Sequence, residues 1–397
     1  MAGAGFTFAR GSRSRVFGWR CVLPLAASLL LAACGSSAAP SPAPSQAPAG
    51  SAPAASAPAS AAPAAGASSK PAGSAKPAAS AKASAVPTIE PAPAGTMLAS
   101  YSELTPINLP LWIAIDEGIF KKNGLTVEGR YIESSLGVGA LLSDEVKFAA
   151  MGGSEALAAA VNGADLKVLA TLSPYYPYRL EVKDSIKTAA DLKGKKLGIS
   201  RFGSSSDSAT RAALKKLGLE PTDVEFVQVG SLAARTAALL SGQLDGGVDG
   251  LPDWITLEQH GFHPLLDLAA AKLPAVNNTL VARAGWIQAN KDTTQKYVDS
   301  IVEGIARAKA DEPLSLRETK KYLKDRASDD QALRESYNLT IKEIMQIPPV
   351  TTPEMFHDAL TQMAEKTAKA KGYDINKLID NSFVNDAQRR GVGKSQP

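Results

Sequence analysis

Between Tyr101 and Gly261 the chain alternates short apolar runs with alanine-rich stretches of helical spacing, and it does so twice. The first pass reads LTVEGRYI, LGVGALLS, VKFAAM, the turn GGS, EALAAAVNG and LKVLATL. The second reads KKLGIS, SDSATRAALKKLG, VEFVQV, LAARTAALLSG, LDGGV and PDWITLEQHG. Parallel strands cannot be joined by a tight turn, so strands separated by helix-length segments predict a parallel-rich sheet covered on both faces. Two local matches, KKNGL at Lys121 to Leu125 with KKLGL at Lys215 to Leu219, and ALLS at Ala140 with ALLS at Ala238, point to two similar βα lobes. Ahead of the first strand-helix pair, LWIAIDEGIFKKNG reads as a helix closed by Gly124 at C′.

After VNNTLVARAG the pattern is helical to the end, and strands near Tyr178 to Val182 and Thr279 to Arg283 become the crossings between lobes. The expected division is residues 96–180 with 280–397 for lobe 1 and residues 181–279 for lobe 2. The fold class is thus α/β, two βα lobes joined by two crossover strands, with a helical C-terminal part.

The amino-terminal part is of another kind. Arg10, Arg13, Arg15 and Arg20 precede the apolar run CVLPLAASLLLA, which is too short for a spanning helix of about 20 residues. Residues 1–33 therefore read as a secretion signal, and Leu31-Ala32-Ala33-Cys34 resembles the lipobox of bacterial lipoproteins, which implies lipidation of Cys34 after cleavage before it. An ordinary signal peptide with an incidental cysteine is the alternative. From Cys34 to about residue 95 the chain is almost wholly Ala, Pro, Ser and Gly. Such a segment cannot bury enough apolar surface to offset its ordering entropy, so it is expected to be a disordered tether.

A formal charge of +4 over 397 residues and 6% aromatics argue against a nucleic-acid face. The two cysteines, Cys21 and Cys34, fall in the signal and at the anchor, which leaves the mature domain without disulfides, thiolate metal sites or a cysteine nucleophile.

Taken together, "LWIAIDEGIFKKNGLTVEGRYI", "ALLSDEVKFAAMGG", "DLKGKKLGISRFGSSSDSATRAALKKLGLEP", "VEFVQVGSLAARTAALLSGQLDGGV" and "EQHGFHPLLDL" resemble the nitrate/sulfonate/taurine-type binding proteins of ABC importers, the SsuA/THI5-like or NMT1 group. The resemblance covers nearly all of Ala99 to about Gln388. It implies a type II periplasmic-binding-protein fold that closes on a small solute and delivers it to an ABC permease in the membrane. On this reading the chain is an extracytoplasmic, lipid-anchored monomer without cofactor, metal or catalysis.

A helix N-terminus leaves its first N–H groups unpaired and carries partial positive charge. The turn RFGSSSD places Ser204, Ser205, Ser206 and Asp207 at such a start, with Gly203 allowing close approach. They are ligand contacts or merely caps, and one of them must be only a cap. Arg201 pairs with a ligand anion or with Asp207 or Asp249. Ligands sit at the carboxyl ends of sheet strands, so other turns should face the same cleft. Carried over by position, the resemblance points to Ser102, Asn108, Leu109, Gly153, Ser154, Ser204, Ser205 and Asp249. In PYYPYR, Tyr175 and Tyr176 line the cleft or pack in a crossover. The serine-rich start favours a sulfonate or another small organic anion, whereas Glu103, Glu155 and Asp249, if they face the cleft, favour an amine or a pyrimidine.

Competing classes are a serine hydrolase using Ser154 of GGSEA and a solute-sensing domain without transport. The hydrolase needs a histidine within reach, and the chain has only His260, His263 and His357. His260 and His263 lack a third ligand at zinc spacing. Fungal relatives that make a thiamine pyrimidine precursor use a cysteine-rich motif that this sequence does not contain.

Overall fold

The computed structural model describes residues 92–327 and 329–394. The proposed signal, the lipidation site Cys34 and nearly all of the tether lie outside the described residues.

Strand β1 (Met97–Tyr101) leads into α1 (Leu109–Asp116) and α2 (Ile119–Lys122), followed by β2 (Val127–Tyr131), α3 (Ser134–Leu142), β3 (Phe148–Met151), α4 (Gly153–Val161) and β4 (Leu166–Tyr175). The second pass runs β5 (Tyr178–Lys183), β6 (Lys196–Ile199), α5 (Ser205–Lys216), β7 (Glu225–Gln228), α6 (Leu232–Leu240), β8 (Gly246–Gly250), α7 (Asp253–Glu258) and β9 (Phe262–Asp267). Strand β10 (Pro274–Arg283) returns the chain to the first lobe. There α8 (Ala284–Ala289), α9 (Lys291–Ala310), α10 (Glu312–Leu323), α11 (Asp330–Tyr337), α12 (His357–Lys366) and α13 (Ser382–Arg389) follow.

Two five-stranded sheets result, ordered β2-β1-β3-β10-β4 and β7-β6-β8-β5-β9. In each, three strands are parallel and the crossing strand, β10 or β5, inserts antiparallel as the fourth. The two orders are equivalent strand for strand, which gives the short sequence matches a structural meaning. Leu125 N–H donates to Phe120 O at 2.8 Å and Leu219 N–H to Leu214 O at 2.9 Å, the same helix-ending hydrogen bond in both lobes. Gly124 and Gly218 supply the positive φ, 77° and 72°, that this ending requires. The paired ALLS segments close α3 and α6, where Ser143 and Ser241 are the C-caps.

Three expectations need correction. The helix read across LWIAIDEGIFKKNG is broken at Gly118, whose φ of 71° separates α1 from α2. Strand β9 was not anticipated, because GFHPLLD contains a proline and its period is irregular; Pro264 is tolerated at a sheet edge. The chain crosses between sheets at Tyr176–Pro177 and returns across residues 268–273, so both crossings come a few residues earlier than the 180/181 and 279/280 boundaries.

The C-terminal helices complete lobe 1. Tyr297 of α9 stacks on Phe148 of β3 with ring centroids 3.8 Å apart, and Tyr322 of α10 stacks on Trp112 of α1 at 4.4 Å. These aromatics belong to one core with Ile113, Ile301 and Ile305, all buried. A second core lies under α3, α4 and α12, a third under α5, and a small fourth, with Leu239, Leu244 and Leu257, joins α6 and α7. The lobes touch where α5 meets α4 and α12. Ser154 Oγ lies 3.4 Å from Ser208 Oγ, and Gln362 Nε2 donates to Ser208 O at 3.4 Å.

Candidate functional site

The carboxyl ends of the parallel strands of both sheets face one cavity of about 40 Å³. Lobe 1 contributes Ser102 and Glu103 after β1, Glu133 and Ser134 after β2, and Gly152 and Glu155 after β3. Lobe 2 contributes Tyr178 at the start of β5, Ser200 and Arg201 after β6, and the first residues of α5. Ser231 and Arg235, at the start of α6, complete that wall. A cavity of this size has room for about three water molecules.

The serine-rich turn divides its labour. Ser204 is the N-cap of α5: its hydroxyl accepts from Asp207 N–H at 3.3 Å and donates to Arg201 O at 2.7 Å. Ser206 Oγ accepts from Ser200 N–H at 2.9 Å, tying the helix start to the end of β6. Ser205 points the other way and donates to Glu155 Oε2 of lobe 1 at 3.2 Å. Asp207 pairs with Arg211 at 2.8 Å, which leaves Arg201 without that partner.

Glu103 accepts from Tyr178 Oη at 3.1 Å, another link between lobes. Burial pushes its carboxyl up to about 7 against the opposing effects of the Tyr178 hydrogen bond and the Arg235 charge. Arg235 is 1% exposed, and its stem crosses the sheet where β6 and β8 have glycine. A Cβ at Gly198 would stand 3.0 Å from Arg235 Cγ, and one at Gly247 3.1 Å from Cδ, so these strand glycines make the channel for the side chain. Its Nη1 donates to Ser200 Oγ at 3.3 Å, its Nε has no hydrogen-bond partner, and it belongs to none of the ion pairs found among the described residues. Asp249 lies nearby, fully buried, accepting from Thr236 Oγ1 at 3.0 Å and from Gly250 N–H at 2.8 Å; burial raises its pKa while the Arg235 charge opposes the rise.

Of the residues expected from sequence, Ser102, Arg201, Ser204, Ser205 and Ser206 line the cavity, and so do Glu103 and Glu155, named on the condition that they face the cleft. The others lie outside its lining. Asn108 is buried and donates to Glu103 O at 2.7 Å, so it shapes the turn beneath the site, and Leu109 is core. Gly153 sits against Val276 of β10, where a side chain would collide. Ser154 faces a separate crevice between α4, α5 and α12, with Ser208 and not a histidine as its hydrogen-bond partner. Tyr176 packs in the lobe 2 core, Tyr175 is half-buried, and the tyrosine that reaches the cavity is Tyr178. Asp249 sits underneath Thr236. Sequence reading placed the turn Tyr175 to Tyr178 at the cleft without singling out Tyr178, and it missed Glu133 and Arg235; Arg235 lies near the start of an alanine-rich helix and looks like a solvated surface residue. Among the described residues no three His, Cys, Asp or Glu side chains gather as a metal site, and no helix is long and apolar enough to cross a membrane.

Residues 106–313 match the family described as NMT1/THI5 like. A chain from Brucella abortus (strain 2308) described as a candidate binding protein is 27% identical over 241 residues, 59% of this chain and 74% of that one. A structure from Bordetella bronchiseptica RB50 is 23% identical with a TM-score of 0.63, covering 75% of this chain and 98% of its own. The alkanesulfonate-binding protein SsuA from Xanthomonas axonopodis pv. citri, bound to MOPS, is 17% identical with a TM-score of 0.58 over 75% of this chain and 98% of its own. These likenesses carry the fold, that of the periplasmic binding proteins, and with the family match over more than half the sequence the chain belongs to the NMT1/THI5-like family.

Proposed function

We propose that the protein is an extracytoplasmic solute receptor, anchored by lipid at Cys34, that closes as a monomer on a small solute and hands it to an ABC permease. The observation that carries this reading is the position of the cavity: it lies where the parallel strands of both lobes end, with buried charged groups reaching it from each side. Such a site couples binding to closure, because a solute touching both walls favours the closed form by its differential contacts. The binding relatives and the sulfonate-bound neighbour agree with it. Arg201 and Arg235 favour a solute with an anionic group, as expected for a small organic anion.

The test is a thermal-shift screen of the protein, unfolded and refolded to strip carried-over solute, against sulfonates, nitrate, carboxylates, amines, pyrimidines and amino acids. A ligand that binds only the folded state raises the melting temperature in a concentration-dependent way, about 2.7 kcal/mol at a hundred times its Kd. A transition unmoved by every class at millimolar concentration rejects the receptor reading. The anchor is tested separately: Cys34→Ala should release the protein from the membrane fraction.

A further inference from the structure

The two walls of the cavity carry opposite charge. Among the residues that line the cavity, lobe 1 gives three carboxyl groups, Glu103, Glu133 and Glu155, of which Glu103 is held partly protonated by its burial, and no cation; lobe 2 gives two guanidiniums, Arg201 and Arg235, and no carboxylate. The walls are not neutralised by direct pairing. Arg235 is 1% exposed with Nε unpartnered, and Arg201 Nε is likewise buried without a partner. Glu155 is 4% exposed, and its hydrogen bond is to a hydroxyl, Ser205, at 3.2 Å. The start of α5, where an anion would otherwise sit, is already faced by that carboxylate.

This division excludes solutes of one sign. A simple anion would meet Arg235 and Arg201 but would be pressed against the carboxylates of Glu133 and Glu155. A simple cation would satisfy the carboxylates and leave the two guanidiniums of the other wall without a partner in the cavity, one of them buried. A solute with both charges at its two ends meets each wall with its complement. The planar fork of a guanidinium matches the two oxygens of a carboxylate, which favours that group at the lobe 2 end. Resting on the receptor reading above, we infer that the solute is a small amino carboxylate, its carboxylate held by Arg235 and Arg201 and its ammonium by Glu133, Glu103 and Glu155.

Isothermal titration of the full chain, stripped by refolding, tests this with matched probes. They are the proteinogenic amino acids, β-alanine and γ-aminobutyrate, each beside its des-amino acid and its decarboxylated amine, together with alkanesulfonates and nitrate. At least one amino carboxylate should bind more tightly than both of its one-charge analogues by about tenfold or more, the usual value of one charge-assisted hydrogen bond. Arg235→Gln should abolish that binding. Because Arg235 is buried and its replacement threatens folding, Glu133→Gln, at a half-buried position, is the second variant: it should weaken the amino carboxylate about tenfold while leaving its des-amino acid unchanged. Des-amino acids or alkanesulfonates that bind as well as any amino carboxylate, or a Glu133→Gln variant with unaltered discrimination, would overturn the inference and leave the receptor reading standing. Silence from every probe, one-charge and two-charge alike, would overturn both.

Discussion

Ser205 and Glu155 meet across the cleft, the hydroxyl of the first turn of α5 donating to the carboxylate of α4 at 3.2 Å. The bond joins elements of different lobes, so it exists only when the lobes are closed. Gly152 makes room for it: a Cβ there would collide with both Glu155 Oε2 and Ser205 Oγ. Gly152→Ala is therefore expected to shift the protein toward an open form. Small-angle scattering should show a larger radius of gyration, and solute affinity should fall about tenfold, while circular dichroism stays unchanged. An unchanged radius would mean that the contact contributes nothing to closure.

Elsewhere between the lobes Arg326, in the turn after α10, pairs with Asp253 at the start of α7 and also donates to Leu104 O at 3.0 Å. One guanidinium thus grips lobe 2 through a carboxylate and lobe 1 through a backbone carbonyl. Arg326→Ala removes a partly buried, charge-assisted link present only in the closed form, worth about 1–2 kcal/mol. The expected result is a solute affinity lower by about tenfold and a faster dissociation rate, read by stopped-flow fluorescence. Equal affinity in the variant and wild type would show that the pair is solvent-compensated.

Ser204 and Ser205 are neighbours with different work, and substitution should separate them. Ser204→Ala removes the N-cap of α5 and should cost about 1 kcal/mol in chemical unfolding, with solute affinity little changed. Ser205→Ala should leave unfolding nearly unaltered and weaken binding, because its hydroxyl faces the cleft and Glu155. The reverse pattern would assign the cap wrongly.

The same pair shows what the sequence reveals and what it does not. A serine run between a strand and an alanine-rich helix announces a helix start at a strand end, and the position of the cleft follows from topology. Which serine caps and which reaches the other lobe depends on the direction of a single Cβ, and no local pattern encodes that. Arg235 was hidden for a related reason. Its role comes from Gly198 and Gly247, more than ten residues away on two other strands, which open a path for its stem. Leu109 and Asn108, offered by position, here face inward, Asn108 bonding the backbone of Glu103 and Leu109 packing in the core, a direction that the sequence of the turn does not encode. Alternation and internal similarity were legible because they rest on period and repetition, whereas charge placement across a cleft is a property of the closed molecule.

Glu181 offers a test of stability that is independent of ligand. It lies in the middle of β5, fully buried, and neither carboxyl oxygen has a hydrogen-bond partner. Burial, with the Glu258 charge adding to it and Arg179 opposing, pushes its pKa up to about 8. In the unfolded chain a glutamate titrates near 4.3, so between that value and about 8 the native state holds a proton that the unfolded state has lost. Stability therefore falls as pH rises through this window, at up to about 1.4 kcal/mol per unit for this one group. Glu181→Gln keeps the shape of the protonated acid and removes its ionisation. The variant should match the wild type at pH 4.5 and be more stable at pH 8.5, by an amount on the order of 5 kcal/mol, measured by urea unfolding at both pH values. A difference that does not change with pH would mean that Glu181 is ionised in the folded protein and stabilised by Arg179, despite its burial.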